Sequence, residues 1–126
     1  MIDFFTSLFN RKFIDGLPTE KFPLTHAMCS KNRYEEFKNP VLMQLQTRYG
    51  KLISVILYRV EQPDEIRVFS VEVSSDSRLN GHGTRAIAEL QKENGRMYLS
   101  SLNESRVFYE KCGFLPVGDS CFRWPS

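Results

Sequence analysis

Residues 66–91 constrain the fold more than any other stretch of the chain. An apolar run, Ile66-Arg67-Val68-Phe69-Ser70-Val71-Glu72-Val73, leads through polar Ser74 to Ser77 into Arg78-Leu79-Asn80-Gly81-His82-Gly83-Thr84, and then into helix-patterned Arg85 to Gln91. A strand, a glycine-containing loop and a helix in that order make an anion site. Glycines at 81 and 83 let the backbone approach a ligand where a β-carbon would collide. The N–H groups that open the helix have no partners inside it, and the helix dipole adds about 0.3–1 kcal/mol per exposed charge.

Three phosphate loops compete for this stretch. A nucleotide P-loop needs Lys and Ser or Thr after its last glycine, whereas Gly83 is followed by Thr84 and Arg85. Gly81-His82-Gly83-Thr84-Arg85-Ala86 matches the dinucleotide pattern, but that motif turns directly off its strand, and here Ser74 to Asn80 intervene. The third pattern is Arg or Gln, two residues, Gly, one residue, Gly or Ala, after a strand ending in an apolar-x-Val. Val71-Glu72-Val73 and Arg78 to Gly83 meet it. This resembles the acyl-CoA loop of GNAT-family N-acetyltransferases. Downstream, Asn103-Glu104-Ser105-Arg106-Val107-Phe108-Tyr109-Glu110-Lys111-Cys112-Gly113-Phe114 closely resembles that family's second signature, with Ser105 in place of the usual Ala. The resemblance covers roughly Leu42 to Phe122 and leaves the N-terminal third unassigned.

The resemblance implies an α/β (α+β) GNAT fold: a mixed, mostly antiparallel central sheet with one parallel, splayed strand pair and flanking helices. It also implies acetyl-CoA as the cofactor, with CoA as product, and direct attack by a primary amine in a ternary complex. The cofactor would be held by Val71, Val73, Arg78, Leu79, Asn80, Gly81, His82, Gly83, Thr84, Arg85, Asn103 and Tyr109. The backbone N–H of Val73 would polarise the thioester carbonyl, and Tyr109 matches the family's general acid. A tyrosine with a pKa near 10 keeps its proton at neutral pH and can pass it to a thiolate whose conjugate acid lies near 8.5. The plainer role for Tyr109 is packing, with its hydroxyl only placing the cofactor sulfur. Asn103 either bonds the pantetheine arm or caps the last helix.

The base is less defined. Glu72 is the carboxylate nearest the splayed strands, although a strand glutamate is more often solvated or salt-bridged; water relayed through Ser70, Ser100 or Ser101 is the alternative. His82 has a convenient pKa near 6.5, but its loop aims it at phosphate. Cys112 has no His partner on the adjacent helix to make it a nucleophile.

Composition limits the rest. A chain of 126 residues, 41% apolar and 25% charged, is expected to form one domain over 1–126. A net charge of +2 is too slight to imply DNA. Three cysteines without C-x-x-C spacing and two histidines indicate neither a disulfide framework nor a metal site, and a cytoplasmic setting is expected. No apolar run approaches a membrane span of roughly 18 residues.

Phe5, Leu8, Phe9, Lys12 and Phe13 recur at helical spacing, so residues 1–40 read as a short N-terminal helical region with its Phe side buried. Asp15 to Pro23 reads as irregular, and Ser30 is placed to cap a helix from Lys31 to Phe37. No first strand is evident, and a homodimer is expected to cover the edge that its absence would leave and to give the N-terminal Phe stripe a partner surface. Leu42 to Arg48 and Leu52 to Val60 read as a hairpin about Tyr49-Gly50. In Ile66 to Val73, alternation puts Phe69, Val71 and Val73 on one face and Val68, Ser70 and Glu72 on the other. Gly95 reads as a helix stop, Arg96 to Ser101 as the parallel strand, and Phe114 to Trp124 as a terminal hairpin. The acceptor stays open: a small primary amine, or a macromolecular amine such as a protein lysine or aminoacyl-tRNA. A non-catalytic CoA-binding regulatory module is the reading from another class.

Overall fold

The computed structural model describes residues 2–8, 11–29, 42–78, 80–100, 105–118 and 121–125. Its elements are β1 Ile2–Leu8, α1 Arg11–Asp15, α2 Pro23–Met28, β2 Leu42–Arg48, β3 Lys51–Gln62 and β4 Glu65–Val73. After these come α3 His82–Glu93, β5 Arg96–Ser100, α4 Arg106–Lys111, β6 Leu115–Gly118 and β7 Cys121–Trp124. Seven strands form one sheet in the order β1-β2-β3-β4-β5-β7-β6. Among the described residues only the β4–β5 pair runs parallel, as a strand, crossover helix and strand require.

Tyr49 and Gly50 close the β2–β3 hairpin with φ of 53° and 77°. Two successive positive φ values match the right-handed twist of the flanking strands, and glycine at the second position adopts its value without a β-carbon penalty.

The N-terminus departs from the helical reading. Ile2–Leu8 is a strand, paired antiparallel with β2 from Ile2 opposite Arg48 to Leu8 opposite Leu42. Phe4 packs on the core, while Phe5 and Leu8 of the expected buried stripe stay 55% and 62% exposed. Ile, Phe and Thr favour a pleated surface, and the free edge of β2 supplies a ladder that no local periodicity announces. The first strand is therefore present, and the case for a homodimer resting on its absence falls with it. A helix does follow, but it is short: Arg11–Asp15, anchored by buried Ile14. The segment Lys31 to Phe37 lies outside the described residues.

β4 carries the feature that shapes the centre of the molecule. Leu57 lies opposite Ser70 and Tyr58 opposite Val68, so Phe69 is an extra residue in β4 with no partner in β3. The bulge changes which face each residue takes. Val68 joins the core beneath α3, Phe69 joins the core beneath α1 and α2, and Val71 returns to the α3 side. The simple alternation expected for this strand is thus broken at Phe69, and Val68 and Ser70 do not share a face. Pairing between β4 and β5 ends at the same point, with Val68 opposite Leu99. Beyond it β5 continues only as Ser100, which pairs across to Cys121 of β7. Among the described residues no pair of β4 and β5 lies beyond Val68 and Leu99.

Both faces are covered. On one, Ala86, Ile87 and Leu90 of α3 and Tyr109 of α4 meet Ile56, Ile66, Val68, Met97 and Phe122. Buried positions 82, 83, 86, 87 and 90 trace one stripe of α3. Ile87 and Leu90 are fully enclosed, worth roughly 1.5–3 kcal/mol each, so packing rather than capping fixes the helix. On the other face Ile14, Leu17, Phe22 and Cys29 cover Val55 and Leu57.

Gly95 has a different reason from the one its position suggests. The α3 terminus is capped by Asn94, whose backbone N–H and Nδ2 both donate to the Leu90 carbonyl. A β-carbon at Gly95 would fall 2.0 Å from Asp64 Oδ2, because Asp64 folds over the turn to accept the Gly95 N–H at 2.7 Å. Gly95→Ala should therefore displace the Asp64 carboxylate and cost about 0.5–1.5 kcal/mol in urea unfolding, the worth of the lost hydrogen bond. Gly118→Ala, whose β-carbon meets nothing within 4 Å, should change stability by less than about 0.5 kcal/mol.

Candidate functional site

The two glycines of the loop do different work. Gly81 sits at φ 75° with open space around it, so its role is the left-handed turn that starts α3. Gly83 has no such backbone demand. A β-carbon there would meet the Phe108 ring at 3.1 Å and Val73 Cγ2 at 3.5 Å, so its bareness lets α3 sit against α4 and the end of β4. The first intrahelical bond runs from the Arg85 N–H to the Gly81 carbonyl at 3.1 Å. The N–H groups of His82, Gly83 and Thr84 precede it and have no helical acceptor. No acidic residue stands in the first turn, and Arg78, Asn80, Thr84 and Arg85 are exposed around it. This end of α3 is suited to an anion. Leu79 and Asn103 lie outside the described residues.

His82 does not face that anion position. Its ring is buried, with Nδ1 3.2 Å from Gln46 Nε2, while Gln46 Oε1 accepts the Ser54 hydroxyl at 2.9 Å. Since Gln46 spends its oxygen on Ser54, its amide donates to His82, which must keep Nδ1 unprotonated. Burial first, then Arg85 and Arg48, lower the His82 pKa. The chain Ser54–Gln46–His82 ties the start of α3 to β2 and β3. A glutamine in a strand carries no sequence mark of such a role.

Glu72 is likewise turned away from the gap between β4 and β5. Its Oε2 accepts the Leu24 N–H at 2.8 Å and its Oε1 the Thr25 N–H at 2.6 Å. The carboxylate closes the N-terminus of α2, where Pro23 opens the helix, and joins α2 to β4. The Thr25 and Ser70 hydroxyls, on the same face, are buried without a partner among the described residues.

The gap has its own donors. The Ser74 N–H bonds to the Ile53 carbonyl at 2.7 Å, toward β3. By strand alternation the N–H groups of Val73 and Val71 point away from β3, beyond the last described β4–β5 pair. Tyr109 stands on α4 with its ring edge-on to Phe108 and Phe114 at 5.0 and 5.8 Å, and tilted against Phe122 at 6.2 Å. Burial, with a smaller contribution from Cys112, pushes its pKa up to about 12. Cys112 is also raised by burial, offset in part by a hydrogen bond with Thr84.

A cleft of about 330 Å³ opens beside the paired half of β4 and β5, lined by Glu61, Glu65, Arg67, Tyr98, Ser100, Val117 and Cys121 and bordered by Leu99 and Phe122.

Solved structures share this architecture. Tetrahymena GCN5 superposes with a TM-score of 0.72 at 18% identity, covering 96% of this chain and 94% of that one. The chain has the GNAT fold.

The catalytic domain of the Tetrahymena GCN5 histone acetyltransferase in complex with coenzyme A superposes at 0.65 with 18% identity, over 98% of this chain and 92% of that one. A Bacillus subtilis acetyltransferase in complex with CoA superposes at 0.64 with 14% identity, over 98% and 96%. No protein-family model matches the sequence, and no curated protein matches it. Among the described residues no helix is long and apolar enough to cross a membrane, and no group of His, Cys, Asp and Glu is placed to hold a metal ion.

Within this GNAT fold the loop after β4 is latched by Asp76. Its carboxylate takes the Ser74 hydroxyl at 2.5 Å, Lys51 Nζ at 3.0 Å and Lys21 Nζ at 3.4 Å. These partners, the serine first, hold its carboxyl well below the usual carboxylate range. The loop ahead of the anion position is thereby joined to β3 and to the segment before α2.

Two pH windows follow. A His whose folded pKa is depressed adds stability that is complete above its unfolded value of about 6.5 and is lost as pH falls from there toward the folded value. A depressed Asp adds stability that is present above about 3.8 and lost below it. Urea midpoints should fall in two separate steps on acidification. His82→Gln should remove the upper step and Asp76→Asn the lower.

Proposed function

We propose that the chain is a GNAT-family N-acetyltransferase that uses acetyl-CoA to acetylate a primary amine. The observation that carries this reading is the unsatisfied N-terminus of α3, without an acidic residue, following a strand whose pairing with β5 ends among the described residues at Val68 and Leu99. Two of the solved structures that share the fold are CoA complexes. The residues present fit such a ligand. The N–H groups of His82, Gly83 and Thr84 would take the diphosphate, with Arg78 and Arg85 as counter-charges. Asn80 and Gly81 shape the turn, and Leu79 and Asn103 are carried with them by the resemblance alone.

Acetyl-CoA supplies an acetyl group activated on sulfur. The Val73 N–H, pointing into the gap, would hold the carbonyl oxygen, where a fixed donor stabilises developing negative charge better than mobile water does. Val71 offers a second N–H on the same edge. The amine nitrogen forms its bond to the carbonyl carbon, the carbon–sulfur bond breaks, and the thiolate takes a proton. Burial keeps the Tyr109 hydroxyl protonated, so Tyr109 acts as a hydrogen-bond donor to the departing sulfur, and the proton the thiolate takes comes from solvent. The proton lost by the amine passes to water. Glu72 is better employed as the anchor of α2, since both of its oxygens already hold backbone amides.

The cofactor step is tested by melting temperature. CoA at about 100 times its dissociation constant should add about 2.7 kcal/mol of stability. Thr84→Asp should abolish the rise, since it favours the helix dipole while repelling phosphate and leaves Gly83 against Phe108. A wild-type chain unmoved by millimolar CoA would overturn the reading.

The chemical step is tested at Tyr109. Tyr109→Phe should keep CoA affinity within a few-fold and lower kcat by about 10–10², the worth of one hydrogen bond to a charged sulfur. Since the hydroxyl stays protonated far into alkali, wild-type kcat/KM should rise with pH as the amine loses its proton, with no fall below about pH 10. Equal turnover by the Phe variant would leave Tyr109 as a packing residue.

A further inference from the structure

The two edges of the sheet are built differently. β6 is four residues long, contains Pro116 and slips register between Pro116 and Gly118, three devices that keep an edge from pairing with another chain. β1 has none of them. Its seven residues run in unbroken register with β2, without proline, glycine or lysine, and Asp3 is its one charged residue. Among the described residues no strand pairs with the outer side of β1, so alternate residues present their N–H and C=O groups outward. Phe5 and Leu8 stand exposed on the same strand. It is the presence of β1, with an open outer side, that calls for a partner.

The order of residues in β1 fits a second copy of itself. Laid antiparallel about a two-fold axis at Phe5, the strand sets Ile2 opposite Leu8, Asp3 opposite Ser7, Phe4 opposite Thr6, and Phe5 opposite Phe5 of the second copy. Apolar residues meet at the axis and at both ends, and Asp3 meets a hydroxyl rather than its own copy. The faces agree as well. Phe4 packs on the core beneath α3 and Thr6 hydrogen-bonds Tyr58 of that core, so this pair shares one face while Phe5 takes the other. A shift of two residues, the next register that keeps the faces together, shortens the ladder and in one direction sets Asp3 against Phe5. We propose that two copies of the chain join edge to edge through β1, antiparallel about an axis at Phe5, into one continuous sheet. β4 lies three strands in from this edge, so the pairing leaves it uncovered and holds whatever the cofactor is. One strand pair makes a small interface, below about 1,200 Å², so the dimer forms reversibly at micromolar concentration.

Sedimentation equilibrium across the micromolar range should show a monomer–dimer equilibrium. Phe5→Lys and Phe5→Glu each remove an aromatic pair and set like charges directly opposite at the axis, so each should raise the dimer dissociation constant by at least about tenfold. Phe5 is exposed, and circular dichroism should show both variants folded. Mixed in equal amounts, the two variants should pair again, because opposite charges then face each other. A cross-link reads the register. In a chain that also carries Cys121→Ser, to remove the exposed native thiol, Phe5→Cys should give a covalent dimer on mild oxidation, since directly opposed residues lie about 4.5–5.5 Å apart, within disulfide reach. Ser7→Cys in the same background should not. A wild-type chain that stays monomeric overturns the proposal. So does a dimer that Phe5→Lys leaves unchanged, a mixture of the charged variants that stays apart, or cross-linking by Ser7→Cys in place of Phe5→Cys.

Discussion

One extra residue in β4 sets the geometry of the rest. Phe69 is an unpaired insertion opposite β3, and the β4–β5 ladder reaches its last pair among the described residues just before it, at Val68 with Leu99. The N–H groups of Val71 and Val73 lie beyond that pair and point away from β3. The same insertion moves Ser70 and Glu72 to the α2 side, which is where Glu72 can reach the amides of Leu24 and Thr25. The anchoring of α2 is a consequence of that register shift.

A gap of this kind costs the sheet hydrogen bonds, and polar anchors around it keep the opening from becoming a loss of order. Each holds a loop or helix end to a strand: Glu72 holds α2, the Ser54–Gln46–His82 chain holds the start of α3, and Asp76 holds the loop between β4 and α3. A buried polar group left without its partner costs about 1–3 kcal/mol, comparable with burying a large apolar side chain. The anchors therefore matter as much as core residues, and two of the three are buried. Asp76 is partly exposed, and its pairs are screened by solvent.

The loop shows how one residue type serves two physical ends. Gly81 is there for backbone angle and Gly83 for packing, since only the first has a positive φ and only the second has a neighbour within contact of an added β-carbon. Both place the same three N–H groups. The shared requirement explains why a spacing pattern can point to an anion position without saying what each glycine does.

Local pattern sufficed where the determining contacts are close in the chain. The β2–β3 hairpin, the strand–loop–helix from Ile66 to Glu93, the parallel β5 and the terminal hairpin are all legible, because turn residues and apolar periodicity lie within each element. The position of Tyr109 relative to Phe114 was legible for the same reason. Four features were not. The strand at Ile2–Leu8 exists because β2 offers it an edge more than thirty residues away. The bulge at Phe69 is a mismatch between two strands, and neither strand alone contains it. The inward turn of His82 depends on Gln46, and the role of Glu72 depends on the amides of α2. What the sequence by itself determined was the order of elements and the place of the anion loop, which follow from short-range sterics and periodicity. Which way each polar side chain faces, and hence which can meet a substrate, was decided only by long-range pairing.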